Sequence, residues 1–130
     1  MPERPTMTSV DGLPDLPGID TADGLRRMLN KPALYEKILR DFHARLIDAP
    51  QVIRTMLAGG DFASAERQAH SAKGLAGTIG ALDLQNAAMA LEKVLHNGEM
   101  PSETVFARFD QELRTVIDGI AVGFDIGPSN

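Results

Sequence analysis

The chain of 130 residues has no cysteine, no tryptophan and a single tyrosine. Without cysteine there is no disulfide framework and no thiolate metal site, and this usage fits a reducing compartment such as the cytoplasm. No stretch reaches the roughly 18 apolar residues that a membrane span needs, and the start MPERPTMTSV lacks the apolar core of a secretory signal. A soluble protein is expected. Positive charge is the minority: 13 Lys and Arg stand against 18 Asp and Glu, for a formal charge of −5. Nucleic acid or an anionic membrane surface would favour a basic patch, so the expected partner is another protein. There is also no Gly-rich phosphate loop, no nucleophile elbow and no H-E-x-x-H, which removes the usual machinery of an autonomous kinase or hydrolase.

What remains is one domain's worth of chain. Residues 1–18 carry Pro2, Pro5, Pro14 and Pro17 with Gly12 and Gly18, a composition read as a flexible tether. Asp20 or Thr21 is expected to cap a short helix through Leu25, Met28 and Leu29, and Pro32 to open the next. Leu34, Ile38, Leu39, Phe42, Leu46 and Ile47 then repeat at helical spacing. At Pro50 the pattern either kinks or restarts with Asp48 as cap, continuing through Val52, Ile53, Met56 and Leu57 to Gly59–Gly60. Asp61 should cap a third helix, with Phe62, Ala65, Ala69, Ala72, Ala76 and Ile79 on its apolar stripe. A fourth is expected from about Ala81 to His96, stopped by Asn97–Gly98, and a fifth from near Ser102. Gly119 and Gly123 are expected to fray that last helix into a flexible tail over 123–130. No sustained period-two alternation competes. The predicted fold is all-α: an antiparallel four-helix bundle with a short additional N-terminal helix, spanning 19–122.

The most informative cluster lies on the third helix. His70 is followed by Lys73, Gly74, Gly77 and Gly80. Glycine costs roughly 1 kcal/mol relative to alanine inside a helix, and unexplained breaks of local rules tend to mark functional sites. Residues three, four and seven apart share one side of a helix, so a titratable nucleophile, a cation and bare backbone fall together. His70 stands about 130° from the centre of the apolar stripe at about 100° per residue, and should point away from the core. Histidine can attack as a covalent nucleophile when one ring nitrogen is free and the other is held by an acceptor. Glu92, about 95° from the fourth helix's stripe centre, is the candidate acceptor. Lys73 would stabilise phosphoryl oxygens, and Gly74 and Gly77 would clear room for an incoming active site. His43 and His96 are read as structural, and neither has metal-ligand spacing with His70, so no metal site is expected.

The run AHSAKGLAGTIGALDLQNAAMALEKVL resembles the signature of histidine-containing phosphotransfer (HPt) domains, in which H-x-x-K-G is followed by small residues, a glycine and an L-x-x-x-x-x-x-L-E helix. The stretches LAGGDFASAERQAH and LPGIDTADGL are similar to segments preceding that signature, so the resemblance covers roughly residues 16–121. It implies that His70 is the phosphoacceptor, with Lys73 beside the phosphate. It implies too that Gly74 clears the docking surface, on which Gly77, Glu66 and Arg67 are also expected. The domain would be a phosphocarrier rather than an autonomous enzyme, free or part of a hybrid histidine kinase, and monomeric. Its partner would be a response-regulator receiver domain holding the Mg²⁺ and the phospho-accepting carboxylate. Two positions depart from the family pattern: Ala72 replaces a larger aliphatic, and Glu92 stands where some members have glutamine. The competing class is a helical adaptor that binds a partner through the same face without transferring phosphate, for which the histidine would be dispensable.

Overall fold

The computed structural model describes residues 9, 10 and 13–126. Its elements are a two-residue antiparallel ladder, β1 (Ser9–Val10) with β2 (Leu13–Pro14), and six helices: α1 (Thr21–Arg27), α2 (Pro32–Leu46), α3 (Ala49–Ala58), α4 (Phe62–Ile79), α5 (Leu82–His96) and α6 (Glu103–Gly123). Apart from that ladder the described residues are all-α, as the periodicity predicts.

The helix boundaries follow from local chemistry. Asp20, Asp61 and Ser102 stand at the N-caps of α1, α4 and α6, where their side-chain oxygens accept from the amides of Asp23, Ser64 and Val105 and satisfy donors that a helix start leaves open. Pro32 opens α2 from its first turn. At the interruption before Pro50 the chain restarts: Asp48 leaves helical geometry (φ −103°, ψ 6°) and α3 begins at Ala49, with no side-chain bond from Asp48 to its amides. Gly80 ends α4 in the left-handed region at φ 88°.

α4 is the central element, packed against α1, α2, α3 and most extensively α5, while α6 closes over α2 and α5. Its inward face is almost entirely small: Ala65, Ala69, Ala72 and Ala76 are fully buried, which lets neighbouring helices come close and seats the larger Phe42, Leu84, Leu91 and Phe109 around it. The end of α4 is tied down from outside. Buried Tyr35 donates from its hydroxyl to the Ile79 carbonyl (2.7 Å), and the Asp20 amide donates to the Gly80 carbonyl (2.9 Å). Burial pushes the Tyr35 phenol up, so it remains a donor. Gly24 of α1 makes this possible, because a Cβ there would lie 2.3 Å from the Tyr35 hydroxyl oxygen and 2.4 Å from the Ile79 carbonyl oxygen.

Three expectations are corrected. Residues 1–8, 11 and 12 of the predicted 1–18 tether lie outside the described residues, but Leu13 and Leu16 are buried in the core. Gly119 and Gly123 do not fray α6. They are where this N-terminal strap crosses it: a Cβ on Gly119 would meet Pro17 at 2.8 Å, and one on Gly123 would meet Leu16 at 2.7 Å. The predicted tail at 123–130 is likewise packed as far as it is described, since Phe124 and Ile126 lie against the core and the Arg40 guanidinium sits 5.3 Å above the Phe124 ring. Residues 127–130 lie outside the described set.

Candidate functional site

α4 and α5 are joined by Gly80–Ala81 alone and run antiparallel. Their contacts show the register: Gly77 faces Gln85, His70 and Lys73 face Glu92, and Glu66 faces His96, each step back along α4 matched by a step forward along α5.

His70 is outward-facing, its side chain 67% exposed. Its Nδ1 lies 2.7 Å from Glu92 Oε2, while the other carboxylate oxygen, Oε1, lies 2.7 Å from the Lys73 ammonium. One carboxylate therefore holds both groups, one oxygen for each. Glu92 is 17% exposed. Burial raises its pKa, but the hydrogen bonds from Lys73 and His70 outweigh that and hold it below the ordinary carboxylate range. An ionised carboxylate only accepts, so Nδ1 is the donor in this contact, and in the neutral ring the lone pair then sits on Nε2. The arrangement presents a nucleophilic nitrogen on an open surface with a cation one helical turn away.

The remaining sequence-predicted residues divide. Gly74 is exposed, and a Cβ there would meet nothing within 4 Å. Gly77 is not on the docking surface expected for it: it is buried, with the Gln85 amide lying over it so that a Cβ would meet Nε2 at 2.3 Å. Its glycine serves the approach of α5. Glu66 is engaged by His96, whose Nδ1 lies 2.8 Å from Glu66 Oε2, and exposed Arg67 donates to the Ser64 hydroxyl at 3.0 Å. His43 is buried in α2, away from this surface. Among the described residues no three His, Cys, Asp or Glu side chains are grouped to hold a metal ion.

Two features were not read from the sequence. One is the Lys73–Glu92 bond. The other is the Glu66–His96 pair, whose signal was present: Glu66-x-x-x-His70 on α4 and Glu92-x-x-x-His96 on α5 are the same i, i+4 pattern, and antiparallel helices bring each histidine to the other's glutamate.

A family model described as the Hpt domain matches residues 36–121, more than half of the chain and including all of α4 and α5. No curated protein and no solved structure matches. Members of this family transfer phosphoryl groups in two-component phosphorelays and interact with response-regulator receiver domains. With a matching family model and a surface histidine held beside a lysine, the chain belongs to the HPt domain family.

Proposed function

We propose that His70 is the phosphoacceptor of this domain, taking a phosphoryl group from a receiver-domain aspartyl-phosphate and passing it to a receiver in a multistep relay. The observation that carries this reading is the shared contact of Glu92 with His70 Nδ1 and Lys73 Nζ, which leaves Nε2 outward. Nε2 attacks phosphorus, the bond from phosphorus to the aspartyl oxygen breaks, and the aspartate leaves as a carboxylate. The ring gains positive charge as the bond to Nε2 forms, and Nδ1–H bears it against Glu92 until the proton departs to solvent. Lys73 supplies positive charge beside the phosphoryl oxygens. Gly74 leaves space for the partner's surface.

In this reading the domain is a monomeric carrier without a cofactor of its own, and the Mg²⁺ belongs to the partner's site. The fold is an antiparallel four-helix bundle of α2, α4, α5 and α6, with α1 as the additional helix and α3 as the resumed part of the second strut. The working unit runs from about Leu13 to Ile126, because the strap at Leu13–Leu16 and the Phe124 and Ile126 side chains pack with the bundle. The module acts in the cytoplasm, on its own or within a hybrid histidine kinase; no helix among the described residues is long and apolar enough to cross a membrane.

The test is label transfer from a phosphorylated receiver domain. Acid-labile label should appear on the parent and be absent from His70→Gln, with the helical circular dichroism unchanged because the side chain lies outside the core. Label retained in that variant, on His43 or His96, would assign the wrong histidine. Receiver binding with no transfer in the parent would favour the adaptor reading.

A further inference from the structure

The Lys73 ammonium is already bound to a carboxylate before any phosphoryl group arrives. Both oxygens of Glu92 are committed, Oε1 to Lys73 and Oε2 to His70, each at 2.7 Å. Glu92 is held ionised by these partners. The Lys73 side chain is 28% exposed, folded toward α5 rather than extended into water. A group entering on Nε2 carries up to two negative charges against one on Glu92 and arrives beside the same ammonium. A lysine ammonium is a compact charge on a flexible stem, able to change partners at little conformational cost.

Resting on the reading of His70 as phosphoacceptor, we propose that Glu92 competes with the phosphoryl group for Lys73, and that this competition keeps phospho-His70 labile. The resting state is stabilised by the Lys73–Glu92 pair. The phosphorylated state gains its cation only by giving up that pair, so the net stabilisation of phosphohistidine is smaller than a free lysine would provide. Glu92 is thus a positioning residue with two effects: it sets the ring tautomer through Oε2 and limits the cation's hold on phosphate through Oε1. A glutamine at this position would keep an oxygen acceptor for Nδ1–H while dropping the charge that retains Lys73.

The experiment needs no receiver. The full chain is loaded with phosphoramidate, in which Nε2 attacks phosphorus and ammonia leaves, and the loss of label is then followed as water displaces the imidazole to give orthophosphate. Parent, E92Q, K73A and the double variant are compared. E92Q should lengthen the lifetime of phospho-His70 about threefold, the scale of a partly exposed ion pair. In the K73A background the same substitution should leave the lifetime unchanged. An equal gain in both backgrounds would show that Glu92 acts through the imidazole alone and would overturn the exchange, as would an unchanged lifetime in E92Q. If His70 takes no label from phosphoramidate, the phosphoacceptor reading itself falls, an outcome distinct from a loaded domain indifferent to Glu92.

Discussion

The α4–α5 ridge carries the same contact twice, and the two copies are not equivalent. His70 and His96 are both largely exposed, at 67% and 74%, and each presents Nδ1 to a glutamate on the opposite helix. Around His70 the ridge adds Lys73 and the bare surface of Gly74. Around His96 the counterparts are Lys93, exposed and three residues earlier, and Gly98, which is open but lies past the end of α5. His96 is instead the last residue of α5, where the negative end of the helix dipole favours a cation and disfavours a phosphoryl group. An exposed ring with a carboxylate at Nδ1 is therefore common to both histidines. What singles out His70 is its surroundings.

Substitutions can break this comparison, and the largest effect is expected at the nucleophiles. His70→Gln should reduce receiver-dependent labelling to background, whereas His96→Gln should retain most of it, as label-transfer assays would measure. Equal losses in the two variants would mean that the two contacts function as one unit.

Gly74→Leu should come next. The added side chain enters open space and replaces a poor helix former, so thermal stability should equal or exceed that of the parent, while receiver-dependent transfer should fall by about tenfold or more from obstruction one turn from His70. Unchanged transfer would mean that the partner approaches from another side.

A moderate effect is expected from Lys73→Ala: transfer slowed and phosphohistidine lifetime shortened roughly fivefold, corresponding to ~1 kcal/mol for a partly exposed charge contact, with the melting temperature little changed. If lifetime and rate both match the parent, Lys73 serves only its pair with Glu92.

The smallest effect is one of pH on folding. The folded-state pKa of Glu92 lies below its ordinary range, so its contribution to stability is present above the unfolded value and is lost as pH falls through the folded one. The difference in melting temperature between parent and Glu92→Gln should therefore shrink on acidification from pH about 6 to about 3. A constant difference across that window would show that the carboxylate's charge contributes nothing to the fold.

Legibility from sequence tracked the range of the interaction. Caps at Asp20, Asp61 and Ser102 were readable because donor and acceptor lie three residues apart. The outward direction of His70 and the flanking position of Glu92 followed from helical periodicity. Glycine was harder, because the same residue breaks a helix, clears a surface or admits a neighbour. Gly74 faces open space, Gly77 lies beneath Gln85, and Gly119 takes Pro17, and only the packing partner separates these uses. The strap at Leu13–Leu16 was missed for the same reason, since a proline-rich segment has no periodicity to announce burial. The Lys73–Glu92 bond required the register between two helices, which neither helix specifies alone.

The Tyr35 hydroxyl on the Ile79 carbonyl has a mechanical consequence for the partner. With Asp61 securing one end of α4 and Tyr35 and Asp20 holding the other, the helix has no frayed terminus from which to bend or roll. Its amides near Ala76–Ile79 should exchange with solvent only through openings close to global unfolding. His70 therefore rides on a rigid strut. In the proposed relay, adjustment on docking would come from the incoming protein's loops and from side chains on the ridge, and one α4 geometry would serve both the donor and the acceptor of the phosphoryl group.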